Sequence, residues 1–156
     1  NSKELIKEGF SKLSNQSVMF RFLELKKHLS EKELKYLSSP DGINHVAFGA
    51  IFHDKEQSHG IGVARYIKTK EDEAELAVTV IDELQGKGIG KNLVKILILY
   101  AKRAELKYLV GTVNCYNNSM MSIVKKYPNV EMHIDTGNYE IKFDLSNITE
   151  DTINII

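Results

Sequence analysis

The sequence feature that most constrains the fold is a glycine-rich turn between two stretches of different periodicity. In full, the turn reads Gln85-Gly86-Lys87-Gly88-Ile89-Gly90-Lys91. The run before it, Glu75 to Ile81, is mostly apolar, as is typical of a strand covered on both faces. The run after it, Gly88 to Leu106, has apolar residues at helical spacing. We therefore predict a strand, a tight turn and an amphipathic helix.

Closely spaced glycines allow the backbone to approach a ligand without clashes from Cβ atoms. The first turn of the following helix offers unpaired N–H groups, and the helix dipole favours negative charge there. The segment is thus a candidate phosphate or pyrophosphate site, with Lys87 and Lys91 adding positive charge. The alternative is that Gly86 and Gly88 only form a tight turn between strand and helix.

Two nucleotide-binding motifs fail on spacing. A P-loop requires a glycine where this chain has Gln85 and a serine or threonine where it has Asn92. A dinucleotide fingerprint reads G-x-G-x-x-G, whereas Gly86, Gly88 and Gly90 read G-x-G-x-G. Neither nucleotide site is expected.

The remaining chain alternates between helical and strand-like patterns. The first forty residues are predicted to be helical, with a crowded apolar set (Val18, Phe20, Phe22, Leu23 and Leu25) and a capping box from Ser30 to Glu33. Further strands are predicted at His45 to His53, Ile61 to Ile67, Tyr108 to Val113, Val130 to Ile134 and Tyr139 to Leu145, with a helix at Ser119 to Lys126. A polar loop containing Gly60 joins the first two strands. The order predicts a mixed α/β or α+β sheet protein.

Composition bounds the class of protein. The chain of 156 residues fits one domain, 1–156. It carries 21 basic and 21 acidic residues, and this balance disfavours binding of nucleic acid through overall charge. No apolar run approaches the ~20 residues that cross a bilayer. With one cysteine and no signal-peptide pattern, we expect a reducing, cytoplasmic location. The histidines form no ligand cluster, so no metal is expected; His53 and His59 are predicted to be solvated.

The pattern Gln85-x-x-Gly88-x-Gly90 resembles the Q/R-x-x-G-x-G/A signature of the GNAT superfamily of N-acetyltransferases. The resemblance implies an acyl-CoA N-acyltransferase fold. Its central, mostly antiparallel sheet would contain a parallel strand–helix–strand unit at the coenzyme site. It also implies that the backbone amides of the turn bind the pyrophosphate of acetyl-CoA.

A more specific resemblance is to bacterial protein-lysine acetyltransferases that modify acyl-CoA synthetases. The matching stretches, in chain order, are Ser14 to Leu23, Leu29 to Leu34, Gly62 to Tyr66 and Ala74 to Ala77. The resemblance implies a protein lysine as the acceptor amine, with an acyl-CoA synthetase as the acceptor protein.

The resemblance also implies a catalytic base. A lysine amine has a pKa of ~10.4, so a base must take its proton at neutral pH. Glu75 matches the family's glutamate at the entry to the strand before the turn. The alternative is a solvated charge beside Glu71, Asp72 and Glu73.

The same resemblance implies roles in holding the coenzyme. The backbones of Val78 and Val80 would pair with the pantetheine arm, and an N–H near Val80 would stabilise the oxyanion. Asn117 would orient the arm or, alternatively, cap a helix. Many family members have, at the position of Val124, a tyrosine that protonates the leaving thiolate. In this chain Tyr116 and Tyr127 are the possible substitutes for that general acid.

We therefore predict an acetyl-CoA-dependent N-acetyltransferase that works by direct attack in a ternary complex. One alternative is an acetyltransferase for small amines such as polyamines or aminoglycosides, which predicts an acidic pocket near Glu71 to Glu75. The other is a regulatory module that binds coenzyme A without catalysis.

Overall fold

The computed structural model describes residues 2–22 and 28–156, and within them six strands form one sheet in the order β1-β2-β3-β4-β6-β5. The strands are β1 (His45–His53), β2 (Ser58–Lys68), β3 (Glu73–Val80), β4 (Tyr108–Asn114), β5 (Glu131–Asp135) and β6 (Asn138–Asp144). The β3–β4 pair is parallel and the other neighbours are antiparallel. This mixed sheet with one parallel strand–helix–strand unit confirms the predicted fold class.

The α-helices of the described ranges lie where the sequence predicts them, with one addition. They are α1 (Ser2–Ser11), α2 (Asn15–Phe22), α3 (Glu31–Leu37), α4 (Ile89–Arg103), α5 (Asn118–Val124) and the unpredicted C-terminal α6 (Glu150–Ile155). The predicted capping box is present, because Ser30 and Glu33 bond each other's backbone N–H groups. Leu23 and Leu25 lie outside the described residues. None of the described helices is long and apolar enough to cross a membrane.

The core lies between one face of the sheet and helices α4 and α5. Leu97 and Ile98 of α4 pack there against Leu109 of β4 and Phe143 of β6, and all four side chains are at most 1% exposed. Full burial of such a side chain contributes about 1.5–3 kcal/mol. The core thus fixes the position of the first turn of α4 relative to β3 and β4.

Helices α1, α2 and α3 cover the opposite face of strands β1 to β3. Gly60 lies within β2 rather than in the predicted loop, because it pairs with Ile51 of β1. Helix α1 crosses closely above it. A Cβ on Gly60 would lie 3.0 Å from the carbonyl oxygen of Leu5. His59, predicted to be solvated, is instead bonded to both Glu8 and Asp54. That prediction is wrong because α1 supplies a carboxylate to the hairpin.

The extent of the domain, 1–156, stays a prediction.

Candidate active site

Strands β3 and β4 separate after a short parallel pairing. Their register covers only Glu73, Ala74 and Glu75 of β3. Beyond this point β3 continues to Val80 and remains paired on its other side with β2, as far as Gly62. Residues 76–80 therefore have an open edge toward β4. We call this opening the strand cleft.

The backbone groups of Val78 and Val80 point into the strand cleft. The N–H of Ile81 donates to the carbonyl oxygen of Ile61 at 2.9 Å, on the β2 side. Because N–H directions alternate along a strand, those of Val78 and Val80 face the other side. The orientation suits the backbone pairing with a pantetheine arm that the sequence predicts, and that role stays a prediction.

The glycine turn lies at the end of the strand cleft. Gly86 and Gly88 have φ values of +76° and +84°, a left-handed region that residues with a Cβ rarely adopt. A Cβ on either residue would have no described atom within 4 Å, so their outer side is open. Gly88 is the N-cap residue of α4 and leaves the N–H groups of the first turn available. Those donors, with the helix dipole, suit a negatively charged group, and binding of a pyrophosphate by this turn stays a prediction.

The residues around this turn differ in exposure. Lys87 is exposed at its tip, while Ile89, Gly90 and Lys91 of the first helical turn are half-buried. A Cβ on Gly90 would lie 3.7 Å from Val80 Cγ2, which places the helix start against the end of β3. The turn and the strand cleft thus form one continuous surface.

The side chain of Gln85 holds the glycine turn in place through two hydrogen bonds. Its Nε2 donates to the carbonyl oxygen of Val80 at 3.0 Å and to Ser17 Oγ of α2 at 3.1 Å. Asp82, just before the turn, accepts a 2.9 Å bond from the backbone N–H of Ser14. Sequence reasoning missed this contribution of α2. The spacing of Ser14 and Ser17, which lie three apart at the start of a helix, was the available signal.

Glu75 is the last β3 residue that pairs with β4, so it lies at the point where the strand cleft opens. Its side chain is exposed, which contradicts the expectation that it enters a strand covered on both faces. Glu73 has the ion pairs instead, with Lys70 at 3.6 Å and Lys142 at 3.8 Å, and Glu75 has none with a described residue.

Glu75 borders an open groove on the sheet face opposite to α4. The groove has a volume of about 430 Å³, and we call it the acidic groove; its polar lining comes from Glu75, Thr112, Glu131, His133, Glu140 and Lys142. Alternate residues of β4, β5 and β6 share this face through the register of the strands. The groove suits an approaching cation.

Arg21 of α2 brings a positive charge near Glu75. Burial lowers the pKa of the Arg21 guanidinium, and the charge of Glu75 opposes that shift. Glu75 therefore interacts with a guanidinium and also borders the acidic groove. Sequence reasoning assigned no role to Arg21, although it belongs to the matched stretch beginning at Ser14.

A comparison of the sequence with family models matches residues 7–127 to the acetyltransferase (GNAT) domain. The chain belongs to this family. The resemblance drawn from the glycine turn is thereby confirmed, and the domain is an acetyltransferase domain.

Relatives of this GNAT chain agree with that assignment. The acetyltransferase PA5475 of Pseudomonas aeruginosa is 29% identical over 122 residues. The match covers 78% of this chain and 66% of that relative, so the chain spans slightly less than two thirds of the relative's length.

Solved structures share the GNAT fold. The GNAT domain of S. lividans PAT superposes with a TM-score of 0.81 at 21% identity, over 92% of this chain and 85% of that one. A putative acetyltransferase of Salmonella typhimurium, yncA, solved with its cofactor acetyl-CoA, superposes with a TM-score of 0.70 at 14% identity. That match covers 96% of this chain and 93% of the other.

The GNAT chain uses Asn117 as a helix cap. Its side-chain oxygen accepts a 3.2 Å bond from the N–H of Met120, and it is the N-cap residue of α5. The capping alternative is therefore observed, and a contact with the coenzyme stays a prediction. The amide nitrogen of Asn117 has no bond to a described residue, so it is available to a ligand.

The two candidate substitutes for the missing tyrosine have opposite environments. Tyr116 is 81% exposed, whereas Tyr127 is 4% exposed and packs edge-on against Phe143. Burial raises the pKa of Tyr127 to about 12, so proton transfer from it to a thiolate with a pKa of about 8.5 is uphill. Val124 is buried in the core.

Among described residues, no group of three or more His, Cys, Asp or Glu is placed to hold a metal.

Proposed function

We propose that the protein is an acetyl-CoA-dependent N-acetyltransferase whose acceptor is the side-chain amine of a protein lysine. The observation that carries the proposal is the position of Glu75, where the strand cleft meets the acidic groove. We place the thioester in the strand cleft and the approaching amine in the acidic groove, so that the two meet at this carboxylate.

The residues present suit acetyl-CoA. The open N–H groups of Val78 and Val80 provide a strand edge for the pantetheine arm, and the glycine turn provides N–H donors for the pyrophosphate. Bound acetyl-CoA supplies an acetyl thioester as the electrophile. An N–H of β3 that faces the strand cleft near Glu75 then donates to the carbonyl oxygen as negative charge develops on it.

Glu75 takes one proton from the lysine ammonium, directly or through one water molecule, and leaves a neutral amine that can attack. The amine nitrogen bonds to the acetyl carbon and the carbon–sulfur bond breaks. The second proton of that nitrogen passes through solvent to the departing thiolate, which leaves as the thiol. No covalent intermediate with the protein is needed. The exposed position of Glu75 allows direct access from solvent.

The open shape of the acidic groove supports a protein acceptor. Every residue of β5 is exposed, so the groove continues to the edge of the sheet and admits an extended peptide. The carboxylates of Glu75, Glu131 and Glu140 attract a lysine ammonium. The GNAT domain of S. lividans PAT also supports a protein acceptor, and it does so only through its similarity of fold. An acyl-CoA synthetase as the acceptor protein, and a cytoplasmic location, remain part of the proposal.

A small polycationic amine is the second candidate acceptor, because the same three carboxylates fit several ammonium groups. The assay that separates the two acceptors measures thiol release with purified acyl-CoA synthetase, polyamines and aminoglycosides. We expect lysine acetylation of the synthetase, detected by mass spectrometry. Turnover of free small amines alone would contradict the protein acceptor.

The test of catalysis is Glu75→Gln, with Glu71→Gln as the matched control in the adjacent exposed loop. Loss of the base should lower kcat about 10²–10⁴-fold, while the affinity for acetyl-CoA is retained. The E71Q variant should keep wild-type kcat. An unchanged kcat in E75Q removes Glu75 from the base role. A chain that binds acetyl-CoA and acetylates no acceptor is instead a coenzyme-binding module.

A further inference from the structure

A second cavity lies on the helix-covered face of the sheet. It has a volume of about 290 Å³ and lies between helices α1 to α3 and strands β1 to β3; we call it the helix-side cavity. Much of its wall is apolar, including Leu5, Ile6, Phe10, Leu13, Leu29 and Val63. The proposed reaction does not use it.

Arg65 brings a buried positive charge to the helix-side cavity. The residue is 2% exposed, and its Nη1 donates to the carbonyl oxygen of Leu37 at 3.0 Å and to His45 Nε2 at 2.8 Å. Both acceptors are neutral, since burial and then the charge of Arg65 lower the pKa of His45. The Nε of Arg65 is buried and has no partner in the described part of the chain.

The described residues around Arg65 do not neutralise this charge. Burial, and next the charge of Arg21, lower the pKa of Arg65 to about 10, so it stays protonated at neutral pH. Arg21 lines the same cavity, and no described carboxylate forms an ion pair with Arg65. A buried charge without a counter-ion is strongly unfavourable.

Thr79 adds a second unsatisfied donor. Its Oγ1 is buried without a hydrogen-bond partner among the described residues, and the residue lines the cavity next to Val63 in the β2–β3 register. Buried polar groups in folded proteins are almost always paired. Two unpaired donors, one on a guanidinium, therefore point to a ligand that accepts hydrogen bonds and carries negative charge.

We propose that the helix-side cavity binds a small amphipathic carboxylate, with its carboxylate on Arg65 and Thr79 and its apolar body against the helices. The few polar anchors suit a carboxylate, and the apolar walls favour a short hydrocarbon body over a hydrophilic anion. This site is separate from the strand cleft and does not depend on the proposed acetyl transfer.

The direct test is calorimetry and thermal unfolding of the 156-residue chain with hexanoate, hexanamide and acetate. Hexanoate should bind and raise Tm by roughly 3–6 °C at tenfold excess over its Kd. Neutral hexanamide and the short acetate should each bind at least tenfold more weakly. Absence of hexanoate binding, or equal binding of hexanamide or acetate, would overturn the proposal.

Substitutions locate the binding to this cavity. Thr79→Val removes the hydroxyl at nearly constant volume and should weaken hexanoate binding roughly tenfold, while Thr79→Ser should keep it. Arg65→Met should abolish binding; if that variant does not fold, the Thr79 pair still decides. Unchanged affinity in T79V contradicts the proposed position of the carboxylate.

One further variant separates a ligand from the chain's own carboxylates. Glu24 lies outside the described residues, and Glu24→Gln should leave hexanoate affinity unchanged. If hexanoate binds to the E24Q variant and not to the wild-type chain, a carboxylate of the chain neutralises Arg65, and the ligand proposal is wrong.

Discussion

Gln85 Nε2 lies 3.1 Å from Ser17 Oγ, a contact that joins the first residue of the glycine turn to a helix 68 positions earlier. The same nitrogen donates to the carbonyl oxygen of Val80, the last residue of β3. A single side chain thus connects α2, β3 and the glycine turn. The three elements should respond together when it is removed.

Gln85→Ala is expected to raise the KM for acetyl-CoA about tenfold with a smaller change in kcat. Each lost hydrogen bond contributes about 0.5–1.5 kcal/mol, and the turn loses its connection to α2. Steady-state kinetics measures the effect. The control is Glu83→Ala, an exposed residue just before the turn, which should keep the wild-type KM. Equal KM values for Q85A and wild type would show that these hydrogen bonds do not influence coenzyme binding.

Gly88→Ala is expected to cost about 1–2 kcal/mol of stability because φ is +84° there. It should also weaken acetyl-CoA binding at least tenfold by reorienting the first N–H groups of α4. Gly42→Ala is the matched control, since Gly42 has φ +78° and also has space for a Cβ. Both variants should lose similar stability in urea unfolding, and only G88A should lose affinity in calorimetry. Equal affinities would refute the anion site.

Tyr127→Phe is expected to raise the free energy of unfolding by about 1 kcal/mol and to leave kcat unchanged. The substitution removes a buried hydroxyl that has no partner among the described residues. Tyr116→Phe is the comparison, because Tyr116 is 81% exposed and its loss should barely change stability. Urea unfolding and kcat are measured for both variants. A tenfold fall in kcat would identify the affected tyrosine as the general acid.

Stability is expected to fall as the pH rises through the titration of His59. Its Nδ1 lies 2.9 Å from Glu8 Oε1 and its Nε2 lies 2.8 Å from Asp54 Oδ2. Glu8 first, and then Asp54, raise the pKa of His59 above its usual 6.5. The stabilisation is therefore complete below about pH 6.5 and disappears above the raised value. Lys12, 3.0 Å from the same Glu8 oxygen, is the other charge in this cluster.

The urea midpoint between pH 5 and 9 measures this effect. Replacement of His59 by Gln should remove the pH-dependent part of the profile. His53→Gln, which changes an exposed histidine of the same hairpin, should retain it. A profile that is the same in H59Q and wild type would show that the His59 pairs do not stabilise the docking of α1.

Local patterns predict much of this fold because they depend on neighbours in the chain. The capping box at Ser30 is confirmed, and so is the helix that follows Gly88. The glycine spacing indicates the family because it reflects backbone geometry at one turn. The contact of Gly60 with α1 is different: it depends on how closely α1 crosses β2, which no local pattern contains.

The sequence by itself determined the order of strands and helices as far as β6, the glycine turn and the family to which the chain belongs. Only the tertiary structure decided that β3 and β4 separate after Glu75, that Glu75 is exposed, and that Arg65 is buried without a described counter-ion. The physical reason is the distance along the chain between the residues that interact. Helix caps and turns use hydrogen bonds between residues close in sequence, whereas exposure, charge pairing and cavities depend on elements brought together by packing.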